Sequence, residues 1–318
     1  MAAIAGPPRR SFVIEDGAAF PRSPRVPMRW CSRTRATPLP TRGRCRRGRQ
    51  GIAGTAFSWN GMHTIPMLYS EHFAPWSERA RWAMDHHRLR YSLVEHTPLL
   101  GDLRLRAAAR KATGAVSVPL LVDGPVRLRD SVAIAHYADS KGSMPRLLPA
   151  ATADEVLAWC SRIEPLMQLG RARVLAGLKT GSASILEAAP VRTPDWLHPV
   201  VAAVGSLAVR RLEKKYAATY EPAAALETAR SVIRQLEAAL RGRMFLVDDR
   251  FSFADIAAAS AFQFVQPVDS SFIALGPATR IVWTWPGLAE ESASVIAWRD
   301  TLYHRHRALP SPVADVDR

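Results

Sequence analysis

The chain has 318 residues, enough for one large domain or two ordinary ones, each able to bury a core. Hydrophobic residues make up 48% and charged residues 22%, which excludes a wholly disordered chain. The formal net charge of +15 raises the question of a nucleic-acid partner, and where that charge lies answers it.

Residues 1–60 hold twelve Arg and no Lys against two acids, Glu15 and Asp16; the other 258 residues hold 31 bases against 26 acids. The Arg- and Pro-rich opening shows no sustained periodicity and cannot bury enough apolar surface to offset its ordering entropy, so 1–61 is expected to be a disordered basic leader. A twin-Arg export signal lacks its apolar region, and prolines interrupt the amphipathic helix of a transit peptide. No aromatic residue is interleaved with the Arg run from Arg33 to Arg49, so stacking on bases has little support and no nucleic-acid partner is expected. A non-functional extension, with folding from near Met62 or Met67, stays open beside a targeting segment. No run of 18 apolar residues exists, so no membrane span is expected.

From Ile65 the texture changes. Ile65–Ser70 reads as a strand, and Pro75 suits the first turn of a helix over Trp76–His87. Tyr91–Glu95 alternates as a second strand, and Leu103–Lys111 reads as helix. Val118–Val122 is a buried strand, Asp123-Gly124 a turn, and Val126–Leu128 its hairpin partner. Asp130-Ser131 then opens a helix. Pro119 conflicts with a central strand, unless the strand starts at Leu120 or Val118-Pro119 is a cis bond where a ligand meets the backbone.

Beyond Thr152 everything reads helical: Asp154–Met167, Trp196–Tyr216, Pro222–Arg241, Phe253–Val265 and Gly287–His306. Ser252 with Asp255 forms a capping box. His86-His87 and His304-Arg305-His306 lack the spacing of a metal site and read as solvated helix ends; no metal is expected. Arg210, Arg211, Lys214 and Lys215 read as a solvated basic face, and Trp283, Trp285 and Trp298 as packing residues. Cys31, Cys45 and Cys160 are too few and too scattered for a disulfide framework or a Cys-rich zinc site.

Together these elements resemble a glutathione S-transferase. Ala74–Arg81 is similar to the start of the first helix in the omega and other Cys- or Ser-type classes. Val118–Tyr137 resembles the glutathione-binding core, and Phe245–Ile256 the folding motif of the helical domain. The resemblance implies an α/β plus all-α architecture: a thioredoxin-like β-α-β-α-β-β-α domain over 62–142, a helical bundle over 150–310, and a tail at 311–318. It favours the cis reading of Val118-Pro119.

It also implies a site. Ser131 would hold the γ-glutamyl carboxylate of glutathione, Asp130 its ammonium, and the Val118 backbone beside Pro119 its cysteinyl portion. The position of the catalytic Cys or Ser is Ala74, so thiol activation falls to Ser77 or Tyr69, then Ser70, with the N-terminus of the helix behind them. Phe73 and Trp76 would wall the site. The implied activity is conjugation of glutathione, as co-substrate, to a small hydrophobic electrophile, in a cytoplasmic homodimer with a detoxifying role. A catalytically silent binding module, favoured by Ala74, and a glutathione-dependent isomerase or dehalogenase are the alternatives.

Overall fold

The computed structural model describes residues 65–179, 183–187, 193–216 and 221–307. The basic leader and the tail expected from the sequence lie outside them. Four short strands and three helices come first: β1 (Met67–Ser70), α1 (Pro75–His86), β2 (Ser92–Glu95), α2 (Asp102–Ala108), β3 (Leu120–Asp123), β4 (Val126–Leu128) and α3 (Ser131–Lys141). The sheet order is β2-β1-β3-β4, with β2 parallel to β1 and the other pairs antiparallel. Gly124, at φ 52°, supplies the left-handed turn residue between β3 and β4.

Strand alternation divides the core. Leu68 and Leu121 pack with Ala80, Ala83 and Met84 of α1 and Ile134, Ala135 and Ala138 of α3. Tyr69, Val94, Leu120 and Val122 point to the opposite face, against Leu105 of α2 and Val116. The sheet is therefore covered by α1 and α3 on one side and α2 on the other, the thioredoxin-like arrangement.

The remainder is helical: α4 (Ala153–Leu178), α5 (Ala183–Glu187), α6 (His198–Tyr216), α7 (Pro222–Ala239), α8 (Phe253–Ala261), α9 (Pro277–Trp283), α10 (Pro286–Glu291) and α11 (Ala293–His306). α4 runs eleven residues past the expected end at Met167. It continues through Pro165 because Ile163, Leu166, Met167 and Val174 are all buried in one core with α7 and α8. Gly170 lets it pass a neighbour closely, since a Cβ there would lie 2.3 Å from the Cβ of Phe264. The single helix expected over Gly287–His306 is divided at Ser292, whose buried hydroxyl donates to the Leu288 carbonyl at 2.6 Å. Among the described residues no helix is long and apolar enough to cross a membrane.

His87 corrects an expectation. It is buried, not solvated, with Nε2 2.7 Å from Asp139 Oδ1. The same Asp139 carboxylate accepts the backbone N–H groups of Leu147 and Leu148, both at 2.8 Å, fastening the end of α3 to the chain that leads into α4.

Candidate functional site

A cavity of about 320 Å³ opens where the C-terminal end of β1, the start of α1, the Ser117–Pro119 turn and the start of α3 come together. Its opposite wall is made by α4 and α6, with Phe264 and Trp283 at its base. Val118, Pro119, Asp130 and Ser131 all line it, so local sequence motifs 12 residues apart meet in one place. The Val118-Pro119 bond is cis and β3 begins at Leu120, so the strand loses no ladder donor to the proline.

α3 begins at Ser131, with Asp130 extended as its N-cap; the Asp130 carboxylate accepts from the Ala133 N–H at 3.3 Å. Ser131 is buried at the first helical position, and backbone N–H groups of the first turn stand with it. α1 begins likewise at the cavity, with extended Ala74 followed by Pro75. Ala74 offers no side-chain cap to this helix end, and Glu78 in its first turn is paired with Arg81 and Arg307.

The three hydroxyls considered for thiol activation are placed otherwise. Ser77 is buried and accepts from the Glu71 N–H at 3.1 Å, closing the turn before α1. Ser70 is buried and accepts from Arg81 Nη1 at 2.9 Å. Tyr69, by strand alternation, joins the cluster under α2, with Arg104 over its ring at 6.0 Å. None of the three lines the cavity; the hydroxyl-bearing residues that do are Ser117, Ser131 and Tyr216.

Phe73 and Trp76 wall the site, as expected from the sequence. Phe73 meets Trp283 edge-on at 5.5 Å, and Trp283 stacks on Phe264 at 4.9 Å. The Trp76 indole N–H lies 3.2 Å and 3.3 Å from the two Glu164 carboxylate oxygens. Several charged residues of the site were not anticipated. Glu71 faces the cavity, its carboxyl pushed up to about 7 by burial and by the Glu95 carboxylate, against the pull of Lys215. Arg211 and Lys215 of α6 rim the cavity, where a wholly solvated face was expected. Arg171 of α4 stands between Trp76 and Tyr216. Arg171, Arg211 and Lys215 arrive from distant segments, and no local spacing announces them. Among the described residues no cluster of His, Cys, Asp or Glu could hold a metal ion.

The chain is thus a thioredoxin-like unit whose cis-proline turn and α3 N-terminus open onto a helical wall. Residues 68–146 match the family model of the glutathione S-transferase N-terminal domain, and residues 197–285 that of its C-terminal domain. The chain belongs to the glutathione S-transferase family. No curated protein matches it. Its fold is similar to that of a glutathione S-transferase from Ceriporiopsis subvermispora in complex with glutathione. That comparison gives 16% identity and a TM-score of 0.54, over 78% of this chain and 100% of that one. A glutathione S-transferase from Methylobacillus flagellatus KT with glutathione bound gives 15% identity and a TM-score of 0.46, over 76% and 95% of the two chains. One from Methylobacterium radiotolerans in complex with glutathione sulfonate gives 16% identity and a TM-score of 0.45, over 80% and 99%.

Proposed function

We propose that this chain binds glutathione in the cavity and holds its thiolate for attack on an electrophile. The observation that carries the reading is the convergence of three backbone features on one space: the α1 N-terminus at Ala74, the cis Val118-Pro119 turn and the α3 N-terminus at Asp130-Ser131. The Ser131 hydroxyl and first-turn N–H groups hold the γ-glutamyl carboxylate, as helix N-termini hold anions. The exposed Asp130 carboxylate faces the ammonium, and the Val118 backbone pairs with the cysteinyl unit as an added strand. The sulfur then lies beside Ala74, where the positive end of α1 favours thiolate over thiol. The thiol proton leaves to solvent, and the sulfur forms a bond to the electrophilic carbon as the leaving group departs with its electron pair. Ser77, Tyr69 and Ser70 support this chemistry only through the shape of the β1–α1 turn and sheet.

Substituting Ser131→Ala is expected to weaken glutathione binding at least tenfold by titration calorimetry and to abolish retention on immobilised glutathione. Undiminished binding would overturn the site. Ala74, with no cavity hydroxyl at the start of α1, favours a second reading, a silent glutathione-binding module. Ultraviolet titration of the bound thiol separates the two, since a thiol pKa no lower than that of free glutathione supports the silent module. A homodimer, a cytoplasmic location and a detoxifying role accompany the first reading as expectations from the family.

A further inference from the structure

Four other cationic side chains in or beside the cavity already have acceptors. Lys215 Nζ donates to the Val116 carbonyl at 2.6 Å, and Arg129 Nη2 to the Ala109 carbonyl at 2.7 Å. Arg211 pairs with Asp102 at 3.6 Å, and Arg79, behind the wall, pairs with Glu164 at 3.6 Å. Arg171 is different. Its guanidinium carbon lies 4.7 Å from the centre of the Trp76 ring and 3.7 Å from that of Tyr216, so two aromatic faces hold the group. Its Nε is buried with no hydrogen-bond partner, and no carboxylate lies within ion-pair distance of it among the described residues.

Cation–π contacts of this kind offset only part of the cost of removing a guanidinium from water. The four Nη–H donors have no acceptor in the protein among the described residues, and their planar pair matches a carboxylate. Burial lowers the Arg171 pKa, and the nearby Tyr216 and Glu164 offset that only in part. Glu71, across the site, titrates near neutrality and is a poor standing counter-charge.

The surroundings give the rest of the shape. Arg171 sits at one end of an apolar strip that α4 continues with Val174, Leu175 and Leu178, three, four and seven residues on, and that Leu212 of α6 completes. We propose that Arg171 is a specificity-determining residue that selects a co-substrate with an apolar body and a carboxylate at one end. This deepens the glutathione reading and rests on it: the tripeptide's γ-glutamyl carboxylate is taken at Ser131, and the glutathione affinity of Arg171→Gln decides whether its glycyl carboxylate or the second substrate takes Arg171.

The test uses the full chain and two probes that differ only in the carboxylate, 3,5-dinitrobenzoate and 1,3-dinitrobenzene, each titrated by calorimetry into protein saturated with S-methylglutathione. Wild type is expected to bind the benzoate at least tenfold more tightly than the neutral ring. Arg171→Gln removes that preference, leaves the neutral ring within about twofold and leaves glutathione affinity within about threefold; Arg171→Lys keeps part of the preference. A thermal melt confirms that each variant is folded. No preference in wild type, or a preference that survives Arg171→Gln, overturns the inference. A tenfold loss of glutathione affinity in Arg171→Gln also overturns it, by assigning the guanidinium to the tripeptide. If wild type binds no glutathione, the underlying reading falls and this inference with it. A failed benzoate preference beside intact glutathione binding removes the inference alone.

Discussion

Glu71 stands at the end of β1, where its backbone N–H closes the turn onto Ser77 and its carboxyl faces the cavity. Burial favours the neutral acid, the Glu95 carboxylate adds to the effect, Lys215 opposes it, and Asp102 adds a smaller push. The folded pKa, about 7, lies above the ordinary carboxyl value, so the folded state holds this proton more tightly than the unfolded chain does. The resulting stabilisation is fully present below the unfolded pKa and is lost as pH rises through about 7. Glu71→Gln, which cannot ionise, is therefore expected to gain on wild type between pH 5 and pH 8, on the order of 1–2 kcal/mol because the carboxyl is only half-buried. Urea unfolding at the two pH values checks this, and parallel stabilities would contradict it. Residues such as Glu71, Arg171 and Tyr216 could not be read as site residues from their neighbours in sequence. Their meaning depends on α4 and α6 lying across from β1, which only packing decides. Asp130, Ser131, Val118 and Pro119 were legible because a helix cap and a proline in a strand are local facts.

The capping box that opens α8 shows the same division one level up. Ser252 and Asp255 were recognisable from their spacing, and the Asp255 carboxylate accepts the Ser252 N–H at 2.8 Å and the Ser252 hydroxyl at 2.9 Å. Its other oxygen accepts the Leu246 N–H at 2.8 Å, which no spacing rule would have supplied. Asp255→Ala strips three buried donors of one acceptor, so a loss of about 3–5 kcal/mol is expected in chemical denaturation, well above an ordinary cap. A loss under 1 kcal/mol would show the group to be dispensable. The segments misread in sequence fail for physical reasons. α4 was expected to stop near Met167, shortly before the poor helix former Gly170, yet the helix persists where Gly170 fits against Phe264. α5 and α9, five and seven residues long, carry too few turns for a periodic pattern to register.

The two halves of the fold are tied at a buried charge cluster. Arg307, just past α11, donates through Nε to Glu78 Oε1 and through Nη1 to Asp85 Oδ2, at 2.7 Å and 2.6 Å. Glu78 also takes Arg81 at 2.8 Å, and burial of its carboxylate is outweighed by these two cations, which hold its pKa below the usual value. Beside them the Trp82 indole donates to the His306 carbonyl at 3.0 Å. The end of the last helix is thus fastened to the helix that begins at the cavity. Arg307→Met leaves Glu78 buried with one partner and is expected to cost about 3–5 kcal/mol, read as a lower urea midpoint. An unchanged midpoint would mean that the cluster only balances its own desolvation.

Ala74 has a consequence of another kind. Among the described residues the one sulfhydryl is that of Cys160, buried in α4 with its thiol pushed up to about 11, chiefly by burial. Among the described residues no cysteine or methionine lines the cavity, so under the proposed function the reacting sulfur is the tripeptide's own. Under the proposed function, peroxide or an alkylating electrophile would consume the sulfur of the free tripeptide pool rather than a sulfur of the protein in the cavity.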